Sequence, residues 1–289
     1  CNDDLFPDAK QDKGILPERF KVDIPGSLSQ EYKSTSLKSA EGIQSEDTLK
    51  GNAIYAHLAN FIAIGEGASD IVEAIIFTIA IYDIDEPMNL SFQSDDDHRI
   101  KNLVVEEIAE YDNRTWEYVM TITDAESETD ADGGKALQIF WNKKPIEGIA
   151  ILRPYHIDRT HNREALDAVF SIEYSEAGMD NYEAYMKIEI ADMPMPDARI
   201  EPFALNSLKM FVGKEGDRID VYGNSDYTYT KFFTENTGFS WSFVASGYES
   251  KDIGVAEVGL PPSNLDETDR EVLLKDYSIK KVLTEEVTE

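Results

Sequence analysis

The sequence predicts an α+β fold in which a large curved antiparallel sheet packs on an N-terminal helix pair. Three observations lead there. Apolar residues between 45 and 84 recur at helical spacing, those between 88 and 250 alternate with polar ones, and the alternating runs are joined by short connectors rich in Gly, Asp and Asn. No internal repeat and no long low-complexity linker divides the chain. Residues 25–289 are therefore expected to form one domain behind an N-terminal tether at 1–24.

The tether is not a plain spacer. Leu5-Phe6-Pro7 and Ile15-Leu16-Pro17-Glu18-Arg19-Phe20 are apolar clusters on either side of a polar run from Asp8 to Gly14, and Pro17 sets extended backbone before it. Such hydrophobes are expected to be held, by the protein's own body or by a partner near the membrane. Residues 25–43 are rich in Ser and Lys and predict no element.

At Ser45-Glu46-Asp47-Thr48, short polar side chains can accept from the free amides of a starting helix. Leu49, Ala53, Ile54, Leu58, Phe61 and Ile62 then share one stripe. Gly65-Glu66-Gly67 reads as a break and Ser69-Asp70 as the cap of a second helix, so that the pair spans about 47–84. The second segment, Ile71 to Tyr82, is apolar almost all round, which fits a helix buried on most sides.

After Pro87 the period changes to two. Trp116, Tyr118, Met120 and Ile122 form one face of a strand, as do Leu137, Ile139 and Trp141, and Phe170, Ile172 and Tyr174. Tyr182 to Ile190, Leu208 to Val212, Ile219 with Val221, and Phe239 to Ala245 repeat the alternation. The connectors Asp132-Gly133-Gly134, Asn142 to Pro145, Gly213 to Asp217 and Gly223-Asn224 are short enough for hairpins. A meander of about nine or ten strands follows, spanning about 88–250. The acidic tail, 265–289, predicts a helix over 268–275.

Composition excludes several functions. With 57 Asp and Glu against 27 Lys and Arg, the formal charge is -30, which leaves no basic face for nucleic acid. A chain 42% hydrophobic and 10% aromatic has the material for a core. No run of 18 uncharged apolar residues occurs, so no helix is expected to span a bilayer.

The one cysteine is Cys1, and Asn2, Asp3 and Asp4 follow it. In this stretch the sequence resembles the surface-exposed lipoproteins of Bacteroidetes, in which a lipidated cysteine is followed closely by acidic residues that act as an export signal. The resemblance implies a diacylglycerol on the Cys1 sulfur, often a third acyl chain on its amine, and an outer-membrane location facing the cell exterior, with Asn2, Asp3 and Asp4 as the signal. Each buried acyl methylene contributes roughly 0.8 kcal/mol, so two or three chains anchor stably. Asp47-Thr48-Leu49 resembles the Asp-Ser/Thr-aliphatic site of O-glycosylation in the same bacteria, which makes Thr48 a candidate carrier.

Signals for chemistry are sparse. His156 and His161 flank Asp158, a spacing that matches neither common helical metal pair, and His57 reads as an ordinary helix-face or core residue. Glu128, Asp130 and Asp132 alternate ahead of Gly133 like the start of a calcium loop, but its twelfth position is Ile139, in a predicted strand. A solvated hairpin tip is the simpler reading. No Gly-x-Ser-x-Gly elbow and no phosphate-cradling glycine loop with a following Lys-Ser/Thr is present. Glycoside hydrolysis needs a defined carboxylate pair, which sequence cannot select among 57 acids.

Aromatic rings offer more to a binding role. Tyr227, Tyr229 and Trp241, with Trp141 upstream, could stack on sugars or anchor a protein if they face water, although the same alternation fits a core face. The expectation from sequence is thus a non-enzymatic surface lipoprotein, an accessory subunit of a complex built on an integral outer-membrane β-barrel together with other lipoproteins. It would be held to the membrane by its acyl chains, with no cofactor besides the lipid on Cys1. The alternatives are a stand-alone glycan- or ligand-binding lipoprotein and a carrier of acyl chains.

Overall fold

The computed structural model describes residues 15–28, 46–80, 84, 86–131, 133–159, 168–193, 207–227 and 239–259. Eleven strands follow one another in the sheet in chain order, each antiparallel to the next. They are β1 (Met88–Gln93), β2 (Ile100–Tyr111), β3 (Arg114–Asp124), β4 (Lys135–Lys143), β5 (Ile146–Leu152) and β6 (Val169–Ser175). The second half comprises β7 (Ala184–Ala191), β8 (Ser207–Glu215), β9 (Arg218–Tyr227), β10 (Phe239–Tyr248) and β11 (Lys251–Gly259). Among the described residues, one long helix, α1 (Glu46–Ala80), precedes them, and a single turn, α2 (Pro154–Ile157), follows β5.

Inward residues from every part of this meander meet in one apolar cluster. Leu103 and Val105 of β2, Met120 of β3, Ile139 of β4, Ile188 of β7, Val221 of β9 and Phe243 of β10 all belong to it, with Met88 and Ala256 of the outermost strands packed against it. A flat sheet of this width could not bring its edges to one core, so the sheet is curled, as strand twist favours. Leu58, Phe61, Ile62, Val72 and Ile76 of α1 fill the concave side, and Phe61 meets Phe243 with ring centroids 4.6 Å apart.

The helix pair expected from sequence is one continuous helix of 35 residues. Gly65, taken for a breaker, lies inside it where α1 presses closest on the sheet: a Cβ there would fall 2.3 Å from Met210 Cε and 3.6 Å from Ile188 Cδ1. Glycine in this helix marks a close approach, and tertiary packing outweighs its low helix propensity. A second correction concerns Gly223-Asn224, which is no hairpin. Both residues lie inside β9, opposite Met210 and Lys209 of β8 and Phe243 and Ser242 of β10.

The strap formed by residues 15–28 is the third layer. Leu16, Phe20, Val22, Ile24 and Leu28 are buried in the same cluster as α1 and the sheet. Trp141 Nε1 donates to the Ile15 carbonyl at 2.7 Å, Ile15 N donates to the Ile84 carbonyl at 3.1 Å, and Lys21 Nζ meets Asp70 Oδ1 of α1 at 2.6 Å. Further along, Leu28 lies against Gly247 of β10 and Gly254 of β11. The strap thus crosses the concave face from β4 to the far strands. The protein's own body thus holds the apolar residues of 15–28, while Leu5-Phe6-Pro7 lies outside the described residues.

Trp116 departs from its expected face. In β3 it shares parity with Met120 and Ile122, yet it belongs to a separate cluster on the opposite, convex side with Val119, Phe140 and Ile149, joined by Ala109 and Ile151. The cause is a kink in β2. Ile108 has φ 58°, and its pairing with β3 is interrupted between Glu107↔Tyr118 and Ala109↔Trp116. Beyond it the hairpin tip, turning through Asp112 and Asn113 at φ 53° and 56°, folds over the convex face. Tyr111 stacks there on Phe140 at 4.4 Å, and Arg114 Nη1 reaches Glu173 Oε1 of β6 at 3.0 Å.

Candidate functional site

Three features of the structure bear on function: a buried ion cluster, a polar cleft beside it, and the convex surface around the β2–β3 hairpin.

The ion cluster grows out of strand register. Lys101 of β2 and Asp124 of β3 are paired partners, and both point to the side occupied by Leu103 and Ile122. Neither charge could be buried alone, and each supplies what the other lacks. Lys101 Nζ donates to Asp97 Oδ2 at 2.7 Å, Asp124 Oδ2 at 3.3 Å and the His156 carbonyl at 3.1 Å. Arg99 holds Asp124 with two bonds, Nε to Oδ2 at 2.7 Å and Nη2 to Oδ1 at 3.0 Å, and Nη2 also reaches Ser127 Oγ at 3.0 Å. Arg159 closes the cluster: its backbone amide donates to Asp97 Oδ2 at 3.1 Å and its Nη2 to His156 Nδ1 at 3.0 Å.

Burial by itself would raise the Asp124 carboxyl, but the Arg99 hydrogen bonds and the Lys101 charge hold it below the ordinary carboxylate value. Asp97 is likewise held low against its own burial, by Lys101 and by the amides of Arg99 and Arg159. All three hydrogen-bonding directions of Lys101 Nζ are thus spent inside the cluster. The cluster fastens the β1–β2 turn, the end of β3 and the α2 loop into one corner.

Beside it, on the β1–β3 surface, Asn89, Ser91, Asn102, Val104, Thr123, Glu128 and Gly133 line an open cleft of about 480 Å³. Ser91 Oγ donates to Asn102 Oδ1 at 2.6 Å, and Asn102 Nδ2 to Glu128 Oε1 at 3.2 Å. The cleft thus presents amide, hydroxyl and carboxylate groups with both donors and acceptors.

The residues singled out from sequence fall in different places. Trp141 is fully buried, its ring 5.5 Å from that of Tyr118 and its indole N–H spent on Ile15, so it is a core residue and offers no ligand or partner contact. Trp241 and Tyr227 hold strand positions in β10 and β9, opposite Ser225 and Phe239, and their side chains lie outside the described residues, as does Tyr229 altogether. Cys1, Asn2, Asp3, Asp4, Asp132, His161 and the helix expected over 268–275 also lie outside them. Thr48 is in the first turn of α1. Glu128 and Asp130 are exposed and turn to separate partners, Asn102 and the Arg159 guanidinium, the latter at 3.7 Å. The calcium loop's twelfth position, Ile139, is buried in β4.

The ion cluster was missed in the sequence although a signal was there. Lys101 and Asp124 occupy inward positions of alternating runs, where a single charge is anomalous and two opposite charges on neighbouring strands are a pair. Together the layers define a sheet-dominated protein, a curled antiparallel meander filled by one helix and one strap. No protein-family model, curated protein or solved structure matches the chain.

Proposed function

We propose that this chain is a non-enzymatic, lipid-anchored protein of the outer membrane, facing the cell exterior and serving as an accessory subunit of a complex built on an integral β-barrel. The observation that carries the reading is the Cys1-Asn2-Asp3-Asp4 motif, a lone cysteine directly before acidic residues. The strap supports it mechanically. From Ile15 onward the chain is gripped by Trp141, Ile84 and α1, so an anchor at Cys1 is joined to the core through residues 2–14, which span at most about 50 Å. A body on so short a tether stays close to the membrane plane, within reach of a barrel's outer loops.

A stand-alone ligand-binding lipoprotein is the second reading, and the polar cleft at Ser91, Asn102 and Glu128 favours it. The acyl-carrier reading draws less support, because Phe61, Ile62, Val72 and Phe243 fill the space between α1 and the sheet where such a chain would lie.

The anchor is tested by the mass of the Cys1 peptide from the native protein and by the variant Cys1→Ala. The expected results are a diacylglycerol-modified peptide and release of the variant from membranes. An unmodified Cys1 in membrane-bound protein would overturn the reading.

A further inference from the structure

Ile108 combines two properties. Its φ of 58° lies in the left-handed region, which disfavours a β-branched residue. It is also 77% exposed, the highest value among the large hydrophobic side chains described. The backbone bend requires the positive φ but not an isoleucine: at the same hairpin's turn, φ values of 53° and 56° are met by Asp112 and Asn113, the short polar types that tolerate this region. Glycine or asparagine at 108 would serve the fold better. An exposed isoleucine at such a position points to a contact outside the fold.

The surroundings say what that is. Glu106, Glu107, Glu110, Asp112 and Glu117 are exposed around the elbow, and Arg114 is the one cation between positions 106 and 117. The tip is firmly seated: Trp116 is buried, Tyr111 stacks on Phe140 and Arg114 bridges to Glu173. An exposed apolar side chain in an acidic stretch of a seated hairpin complements an apolar pocket with a basic rim.

We propose that the Ile108 elbow is the docking point for a protein partner, inserting into an apolar pocket rimmed by Lys and Arg. The proposal rests on the accessory-subunit reading and assigns its contact surface. A second copy of this chain would set like charges against each other on a molecule of net charge -30, and an anionic lipid surface would be repelled in the same way.

The test uses the full chain in its own bacterium, with a benzophenone amino acid at position 108 and, as control, at Glu215 on the opposite half of the sheet. Irradiation is expected to join position 108, and not 215, to one protein through an apolar peptide flanked by basic residues. Ile108→Asn is expected to reduce recovery of that partner at least tenfold while leaving the thermal midpoint unchanged or higher, and Glu107→Lys to weaken it in a salt-dependent way. Cross-links to a second copy or to lipid would overturn the proposal, as would undiminished recovery with Ile108→Asn or a lowered midpoint that marks Ile108 as structural. If the wild-type chain, acylated on Cys1, recovers no partner at all, the accessory-subunit reading itself fails.

Discussion

The ring of Phe20 sits on the bare backbone of Gly148: a Cβ at 148 would lie 2.5 Å from Phe20 Cε2 and 2.9 Å from the Phe140 carbonyl oxygen. Strap and sheet are fitted to each other at this point, and Gly148→Ala forces one of them to move. A loss of about 1–3 kcal/mol is expected, the usual cost of overpacking, and Phe20→Ala should cost about 3–5 kcal/mol. Because the two share one contact, the double variant should lose less than the sum of the singles. A denaturant-unfolding cycle measures this directly, and strict additivity would mean the strap is not seated there.

The continuity of α1 makes opposite predictions for its two glycines. Nothing lies within 4 Å of a Cβ at Gly67, so Gly67→Ala should stabilise by about 0.5–1 kcal/mol through helix propensity. Gly65→Ala gains the same propensity but drives into Met210, and should be neutral or destabilising. If Gly67→Ala instead lowered the thermal midpoint, a break at this point in α1 would be indicated.

Asp124 is the hub of the buried ion cluster, and Asp124→Asn should cost about 3–5 kcal/mol because Arg99 loses its two-bonded carboxylate and Lys101 one of its two buried counter-charges. The same residue sets an acid limit. Asp124 and Asp97 are held below the ordinary carboxyl value in the fold, so the stability they add is present above the unfolded value of about 3.9 and is lost as pH falls through their lower folded values. Unfolding curves taken downward from pH 5 should steepen below about pH 4, and Asp124→Asn should flatten that slope.

At the alkaline end the sign reverses. Burial, the Asp220 charge and the hydrogen bond to Asp220 Oδ2 push the Tyr182 phenol up to about 12, and Tyr174 and Tyr185 are also raised, chiefly by burial. Unfolded phenols ionise at about 10, so the raised groups stabilise the fold below that value and lose the contribution as pH rises toward their folded values. Stability should therefore fall above about pH 10, less steeply in Tyr182→Phe. Absorbance titration at the phenolate band should show these rings ionising late.

How much of this was legible beforehand follows from which forces are local. Alternation along Phe170–Tyr174, Ala184–Ile190 and Leu208–Val212 gave the antiparallel meander and its inward residues, because the period of two is written in each strand. The single helix was not legible, since Gly65 carries its reason in Met210, far along the chain. Trp116 was placed on the wrong face for a related cause: a left-handed kink at Ile108 has no signature in a β-branched residue. For Trp141 the alternation left both a core face and a water-facing ring open, and only the strap's Ile15 carbonyl shows what its indole N–H serves.

The central claim is that this body works as a membrane-tethered subunit, and mild-detergent affinity purification of the native protein from its own membranes, followed by mass spectrometry, tests it most directly. Stoichiometric recovery of an integral outer-membrane β-barrel with the acylated chain is expected. Recovery of the acylated protein by itself would contradict the account.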